Sequence, residues 1–335
     1  MQSSTVLLDQ ADDLIARGSE RTDTMSMVAT RCCICDTEDA APLAVGEDFE
    51  YRTSEETFLA MRCNGCGLVY LNPRPSVDEV ARIYPPDYHA FEFSDDRYGF
   101  VYKVRRRLEA RRLLSWCRDL KDNARILDVG CGDGFHLQIL RDFGKPGWQL
   151  EGVDSDARAV SAATEAGLSV HKGSLDQLDL PSASYDLALL IQTIEHVADP
   201  PALLRTVRSL LRPGGSVVIV TDNTGSPAFE FFKERHWGGY HFPRHWNLFS
   251  AESLRSLAAK VEMEVASLST LVSPVNWVYS LRNTLVDWKK PKWLVNRFSL
   301  ESAGSLSAFT IVDLLHKLGG RGSLLRAILR RPNNS

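Results

Sequence analysis

The sequence lacks the features that would place the protein in a membrane or on a nucleic acid. No stretch of its 335 residues approaches the roughly 20 consecutive apolar residues that a membrane-spanning helix needs. The 39 basic and 43 acidic residues nearly cancel, so overall charge gives no reason to expect a polyanionic partner. The start, MQSSTVLLDQADDLIARGSE, has no basic segment, long apolar core or small-residue cleavage site, unlike a secretory signal. We therefore expect a cytoplasmic protein.

Disulfide bonds are a second expected absence. In a reducing cytoplasm the seven cysteines should be thiols or metal ligands. Extensive disorder is also not expected, because 44% hydrophobic and 24% charged residues are ordinary globular values. The length leaves room for about two domains.

Four of the cysteines form two C-x-x-C pairs. RCCICD carries Cys32 and Cys35, and MRCNGCGLVYLNPRP carries Cys63 and Cys66. Two such turns complete the tetrahedral four-sulfur shell that Zn²⁺ accepts, and this closed shell has no open position for water. We therefore predict a structural zinc site; the alternative is four reduced cysteines at coincidental spacing. A redox dithiol is disfavoured because neither pair opens a helix after a strand.

The patterns divide the chain into four parts. We expect a flexible N-terminal extension at residues 1–27, a zinc-ribbon-like module at 28–75, a helical connector at 76–120 and a larger domain at 121–335. The connector's basic run, VYKVRRRLEARRLLSWCRDL, could bind nucleic acid. The near-balance of charge elsewhere favours the solvated face of an amphipathic helix.

A tight glycine turn between a strand and a helix opens the larger domain. From residue 124 apolar strands alternate with helical stretches, which is typical of a parallel sheet with helices on both faces. In ARILDVGCGDGFHLQIL, residues 126–129 predict a buried strand, residues 130–134 a turn, and Phe135 the start of a helix. Glycines let the backbone of such a turn approach a ligand. The next strand, WQLEGVD, ends in Asp154, whose carboxylate can accept hydrogen bonds from both hydroxyls of a ribose.

The charge beside the turn distinguishes two nucleoside cofactors. A dinucleotide needs the pattern G-x-G-x-x-G and a helix N-terminus that faces its pyrophosphate. Here the turn reads G-C-G-D-G and Asp128 precedes it, so a carboxylate lies close to where a pyrophosphate would bind. Negative charge repels phosphate and favours the sulfonium and ammonium groups of S-adenosylmethionine.

Three motifs of this domain carry a family resemblance. LDVGCGDG, YDLALLIQTIEHVADP and LLRPGGSVVIVTDN are similar to the first motif, the fourth strand with its loop, and the fifth strand of class I S-adenosylmethionine-dependent methyltransferases. The resemblance covers residues 124–270 and implies an α/β fold with a Rossmann-like seven-stranded sheet and helices on both faces. The cysteine segment resembles the start of many bacterial methyltransferases, some of them assigned to antibiotic or deoxysugar tailoring and to cell-envelope glycans.

The resemblance also implies a set of cofactor-binding residues. Five residues would surround the methionine portion: Asp128, Gly130, Cys131, Gly132 and Gly134. Asp154 would bind the ribose, and Ser155, Ser174 and Leu175 would contact the adenine, with Ser174 in place of the family's usual acid. Gln192 would line the methyl-donor pocket.

Histidines supply the candidate proton acceptors for methyl transfer. Glu195 and His196 follow the fourth strand, where open α/β sheets bind ligands. In quinone O-methyltransferases a related E-x-x-E-H cluster can hold a divalent metal, but here Gln192 replaces the first acid. The loop FKERHWGGYHFPRHWNLFS adds His245, which we favour as base or substrate orienter, and its neighbour His241. In the alternative, His196 caps a helix and the loop packs the cysteine module against the sheet.

A long insertion is expected before the last strand. Residues 272–321 predict a helical, lid-like insertion before the last strand, and its basic cluster would suit an anionic acceptor or peripheral membrane contact.

We expect methyl transfer to a small molecule such as a sugar, a nucleotide sugar, or another secondary-metabolite or cell-envelope precursor. One alternative is an RNA or protein methyltransferase that grips its substrate through the zinc module and basic helix. The other is a non-catalytic protein that binds the cofactor.

Overall fold

The computed structural model describes residues 24–85 and 95–333. Most of the N-terminal extension expected at residues 1–27 and part of the helical connector lie outside the described residues. None of the described helices is both long and apolar enough to cross a bilayer.

Thirteen strands and ten α-helices are assigned within the described residues. The strands are β1 (Met27–Val28), β2 (Ala40–Glu47), β3 (Thr57–Cys63), β4 (Val69–Leu71), β5 (Arg74–Pro75), β6 (Arg125–Val129), β7 (Gln149–Asp154), β8 (Ser169–Lys172), β9 (Tyr185–Ile191), β10 (Leu211–Asp222), β11 (Asn247–Leu248), β12 (Glu264–Leu271) and β13 (Leu324–Arg330). The helices are α1 (Val80–Ile83), α2 (Asp95–Trp116), α3 (Phe135–Phe143), α4 (Ala157–Glu165), α5 (Pro200–Leu210), α6 (Pro227–Phe232), α7 (Ala251–Lys260), α8 (Val275–Asp287), α9 (Lys292–Val295) and α10 (Ala303–Leu318).

A seven-stranded sheet forms the centre of the molecule, in the order β12-β13-β10-β9-β6-β7-β8. The strands β8, β7, β6, β9 and β10 run parallel to one another, whereas β13 runs antiparallel to both β10 and β12. β6 lies between β7 and β9, so the chain order reverses beside it and its carboxyl end opens a ligand-binding crevice. The predicted seven-stranded α/β fold is confirmed.

Helices cover both faces of this sheet because alternate strand residues point to opposite sides. On β6, Ile126 belongs to a core with Leu113 of α2 and Leu140 of α3. Its neighbour Leu127 belongs to a second core with Leu204 of α5. The helices α8, α9 and α10 lie between β12 and β13, so the predicted helical insertion before the last strand is present.

The cysteine module shares both a sheet and a core with the rest of the chain. Its strands β2, β3 and β4 form an antiparallel sheet whose fourth strand, β11, lies at the carboxyl end of the histidine-rich loop. Cys32, Cys63 and Tyr70 belong to the same core as Leu127 and Leu204. The module is therefore packed on the face of the central sheet that α5 covers, and its position is fixed by that packing.

Candidate active site

The glycine turn follows β6 and has the backbone conformation that glycine favours. Gly130, Gly132 and Gly134 have φ angles of +73°, +56° and +80°. A Cβ on Gly130 would lie 2.6 Å from the side chain of Thr193, and one on Gly134 would lie 2.2 Å from Leu168 Cδ1. The sequence pattern predicts that these glycines allow close approach of a ligand; at Gly130 and Gly134 the missing side chain makes room for protein atoms.

Asp154 closes the glycine turn from the end of β7. Its Oδ2 accepts a hydrogen bond from the Gly132 amide at 2.8 Å, and its Oδ1 accepts one from the Asp156 amide at 2.8 Å. The Gly173 amide donates to the Asp154 carbonyl at 2.9 Å, which brings the following Ser174 and Leu175 to the same edge of the sheet. The carboxylate thus shapes the turn, and its remaining lone pairs can still accept from a ligand.

Asp128 is a buried carboxyl beside this turn. Burial, followed by the charge of Asp154, raises the pKa of Asp128 to about 7. Its Oδ2 has no hydrogen-bond partner among the described residues, and His136 Nδ1 lies 3.8 Å away. Burial also raises the pKa of Asp154. Two carboxyls that repel each other in this way are stabilised by a nearby cation and would repel a phosphate. The residues beside the turn therefore suit S-adenosylmethionine.

The other predicted cofactor-binding residues lie on the same edge of the sheet. Cys131 is buried within the turn, and Ser155 directly follows Asp154. Gln192 follows β9 with a φ of +53°, and its backbone N–H donates to the Val220 carbonyl at 2.8 Å. Between Gln192 and the histidines, Thr193 Oγ1 donates to the Val129 carbonyl at 3.0 Å. The sequence did not single out Thr193, which ties the glycine turn to the segment that carries Glu195 and His196.

Three histidines from two distant segments form a cluster at this edge. His196 lies in a 3₁₀ turn after β9, and His241 and His245 lie in the loop before β11. Ring centroids are 4.5 Å apart for His196 and His245, 5.0 Å for His241 and His245, and 6.5 Å for His196 and His241. The Trp246 amide donates to the Glu195 carbonyl at 2.8 Å and joins the two segments. The four residues proposed from sequence as catalytic therefore meet in one place.

Hydrogen bonds orient two of the imidazoles. His245 Nδ1 lies 2.8 Å from the Gly239 carbonyl; a carbonyl can only accept, so Nδ1 carries the proton and Nε2 has the lone pair. His196 Nδ1 lies 2.7 Å from the Tyr84 hydroxyl and 3.2 Å from the Arg244 carbonyl. Burial lowers the pKa of His196 to about 3 and that of His245 well below its usual range. Burial therefore favours the neutral form of both rings.

His241 has a different partner, a carboxylate from the cysteine module. Its Nδ1 lies 3.0 Å from Glu50 Oε2, and both side chains are nearly buried. Glu50 lies in the loop after β2. The backbone of His241 adopts φ +41°, which is uncommon outside glycine and is a conformation that the surrounding structure must hold in place. Sequence reasoning missed Glu50, because nothing in GEDFEYRT distinguishes it from a surface acid.

A buried ion pair holds this loop in position. Arg244 and Asp48 are fully buried, and Arg244 Nη2 donates to Asp48 Oδ2 at 2.8 Å. Burial alone would raise the pKa of Asp48, but the hydrogen bond and charge of Arg244 outweigh it and hold that pKa below its usual value. Because Asp48 lies two residues before Glu50 and Arg244 three after His241, the pair also sets the distance between Glu50 and His241.

Glu195 is buried beneath the cluster. Its Oε2 accepts from Thr221 Oγ1 at 2.9 Å, and its Oε1 has no hydrogen-bond partner among the described residues. Burial, and then the charge of Asp222, raise the pKa of Glu195 to about 8. One ligand atom each from Glu195, His196 and His245 lies within 4.8 Å of the others, so these three could hold a divalent cation without an acid at Gln192.

The four module cysteines also converge. Their sulfurs lie within 4.8 Å of one another, and Cys32 Sγ lies 3.5 Å from Cys66 Sγ. All four are thiols rather than disulfides. A tetrahedral zinc with bonds of about 2.3 Å would separate its sulfur ligands by about 3.8 Å, so the spacing suits that ion.

Comparisons with known proteins find methyltransferases similar to this chain. A family model described as a methyltransferase domain matches residues 100–268. A ubiquinone biosynthesis O-methyltransferase of Cereibacter sphaeroides is 30% identical over 169 residues, which cover 47% of this chain and 67% of the relative. An uncharacterized 37.1 kDa protein in transposon TN4556 of Streptomyces fradiae is 33% identical over 106 residues, covering 30% and 31%. A crystal structure of a SAM-dependent methyltransferase from Archaeoglobus fulgidus aligns with TM-score 0.46 at 17% identity, over 72% of this chain and 99% of that one.

The family match begins within α2 and ends within β12, so it contains the glycine turn, Asp154 and the three histidines. It covers just over half of the 335 residues and confirms the resemblance read from the motifs. The chain therefore belongs to the methyltransferase-domain family and is an S-adenosylmethionine-dependent methyltransferase.

Proposed function

We propose that this methyltransferase acts on a hydroxyl group of a small molecule and that a histidine of the cluster accepts the hydroxyl proton. The observation that carries the proposal is the junction at Thr193, which joins the glycine turn to the three clustered imidazoles. A methyl donor in the turn and an acceptor at the imidazoles would then be neighbours, as in-line displacement requires.

The cofactor assignment follows from the carboxyls of the turn. S-adenosylmethionine, when bound, supplies an electrophilic methyl group on a sulfonium. We assign Asp128 to its cationic portion, because Asp128 is buried and has an oxygen without a hydrogen-bond partner among the described residues. We assign Asp154 to the ribose because it ends β7 beside the glycine turn. The remaining assignments are those of the motif: Gly130, Cys131, Gly132, Gly134, Ser155, Ser174, Leu175 and Gln192.

The geometry favours His241 as the proton acceptor, whereas the sequence favoured His245. The Glu50 carboxylate at 3.0 Å can stabilise the charge that His241 gains when it takes up a proton. His245 and His196 have lowered pKa values and are weak bases. We assign both to orienting the substrate that receives the methyl group, and His245 Nε2 would accept a hydrogen bond from that substrate.

A small acceptor with a hydroxyl group is supported by two observations. The imidazoles of His241 and His245 are nearly buried, which suits a small molecule better than an RNA or a folded protein. The relative from Cereibacter sphaeroides carries the name of an O-methyltransferase of ubiquinone biosynthesis. We also propose that Cys32, Cys35, Cys63 and Cys66 bind a structural Zn²⁺, because their sulfurs have the spacing of a closed tetrahedral shell.

Calorimetry with S-adenosylhomocysteine tests the cofactor site. Asp154→Ala should weaken binding at least about 100-fold, because two hydrogen bonds to a charged group are lost. Asp119→Ala, which removes an exposed acid in the loop after α2, is the matched control and should bind normally. Unchanged affinity in Asp154→Ala would refute the assignment.

Transfer of a labelled methyl group tests the acceptor class and the base. Purified enzyme is incubated with diphenols, nucleotide sugars or total RNA, and products are identified by mass spectrometry. We expect a methyl ether on a small molecule. His241→Asn should then lower kcat about 100-fold, a typical contribution of a general base, while S-adenosylhomocysteine affinity is kept. Methylation of RNA alone would contradict the proposal, as would full activity in His241→Asn.

A further inference from the structure

The outer face of α10 is apolar although it contacts solvent. Leu318 is 79% exposed, Ile311 and Leu315 are each 63% exposed, and Leu314 is also exposed. Their spacing of three and four residues places them on one side of the helix. The opposite side is already packed, since the rings of Phe309 and His316 stack on Trp277 of α8. The exposed side chains therefore take no part in the contacts that hold α10 against α8.

The turn after α8, together with the first two residues of α9, carries tryptophan and lysine. The sequence of this segment, residues 288–293, is WKKPKW. Trp288 and Trp293 are 62% and 66% exposed. Lys289, Lys290 and Lys292 are exposed and form no ion pair with any described residue. Because α8 contacts both α9 and α10, the turn and the exposed face of α10 belong to one packed helical unit.

The insertion has a charge opposite to that of the whole chain. Residues 272–321 contain seven basic and three acidic residues, a net charge of +4, whereas the chain has −4. Two of the acids are used internally. Asp287 pairs with Arg235 and His236, and Asp313 is buried and accepts from Ser323 Oγ. The positive charge therefore remains at the surface, next to exposed apolar side chains.

We propose that this insertion surface, defined as residues 288–293 with Ile311, Leu314, Leu315 and Leu318, docks on an anionic lipid bilayer. Tryptophan rings bind at the headgroup level, lysines attract acidic lipids, and aliphatic side chains enter the boundary of the acyl chains. A symmetric contact with a second copy is disfavoured by charge, because it would bring the same basic set against itself. The inference concerns the surface alone and does not depend on which acceptor is methylated.

Docking there would be linked to the histidine loop through α8. Asn276 of α8 donates to Asp222 Oδ1 at 2.7 Å, and Ser280 Oγ accepts from the Gly238 amide at 2.9 Å. α8 is thus bonded to Asp222, whose Oδ2 lies 3.5 Å from His245 Nδ1, and to the loop that carries His241. The bilayer contact and the histidines would be held by the same helix.

Co-sedimentation with lipid vesicles tests the surface. Full-length protein is mixed with vesicles of phosphatidylcholine alone or with one-third phosphatidylglycerol. We expect binding to the anionic vesicles at least tenfold tighter than to the neutral ones. K289Q/K290Q/K292Q should weaken it about fivefold per lysine, on the order of 100-fold in total. I311S/L315S/L318S should weaken it at least about tenfold through lost apolar burial.

Matched controls separate the surface from the fold. Phe143→Ser removes an exposed apolar side chain at the end of α3, outside the insertion, and should leave vesicle binding unchanged. S-adenosylhomocysteine affinity should be equal in all variants and report intact folding. Absence of binding to anionic vesicles would overturn the proposal, and so would equal binding by wild type and both triple variants. Concentration-dependent dimers in sedimentation velocity that I311S/L315S/L318S abolishes, without vesicle binding, would assign the face to a second copy instead.

Discussion

Replacing Asp128 by asparagine should stabilise the cofactor-free protein at alkaline pH and weaken its affinity for S-adenosylmethionine. The pKa of Asp128 is raised to about 7 by burial and by Asp154, against about 3.9 in an unfolded chain. Between these pH values the folded protein keeps a proton that the unfolded chain releases. The free energy of unfolding therefore falls as pH rises through this window, by about 4 kcal/mol in total.

Asparagine removes this pH dependence because its amide does not ionise. Between pH 5 and pH 8.5, the free energy of unfolding of wild type should fall by about 3 kcal/mol relative to that of Asp128→Asn. Wild type loses this stability over the two pH units between pH 5 and its folded-state pKa of about 7. Urea unfolding at both pH values, with zinc present, measures the difference. Asp119→Asn, an exposed acid, is the control and should show no such trend.

Ligand binding should change in the opposite direction. Asp128→Asn should weaken S-adenosylmethionine binding at least about tenfold at pH 8.5, because a charge-assisted contact to a cationic ligand is lost. A stability difference that is the same at pH 5 and pH 8.5 would refute the assignment of a buried, high-pKa carboxyl. Tighter binding of S-adenosylmethionine by the variant would refute its role beside the cationic portion.

Two further predictions concern how the module is attached. Arg244→Met should lower the free energy of unfolding by about 3–5 kcal/mol, because the buried carboxylate of Asp48 would lose its counter-charge, and the double variant with Asp48→Leu should recover part of the loss in urea unfolding. Cys63→Ser should abolish zinc binding in metal analysis and lower the Tm of the whole chain in a single calorimetric transition, because the module's cysteines share a core with the central sheet. Two separate transitions would show that the module unfolds independently.

The sheet and the glycine turn were predictable because their signals are local. The apolar strand before Gly130, the glycines themselves and Asp154 at the next strand end follow from hydrophobic periodicity and backbone rules within about thirty residues. The two C-x-x-C pairs are equally local, and their meeting in one site required only the preference of zinc for four sulfurs. The helical insertion was visible as a long apolar-periodic segment before the last strand.

The arrangement of the histidines was only partly predictable. His196 and His245 were named from motif positions, but their ring contact and their lowered pKa values depend on burial that no short segment reveals. The partner of His241 lies in a different module, and no spacing rule connects Glu50 to it. The proposed preference for His241 over His245 as proton acceptor rests on this contact.

The sequence by itself determined the fold class, the glycine turn and the grouping of the four cysteines, because each depends on residues whose relation is set by backbone geometry over one or two elements. Only the tertiary structure decided that β11 joins the module's sheet, that Thr193 fills the space at Gly130, and that Glu50 faces His241. These contacts depend on how distant segments share one core. Packing of that kind is set by the whole chain at once, and local pattern does not encode it.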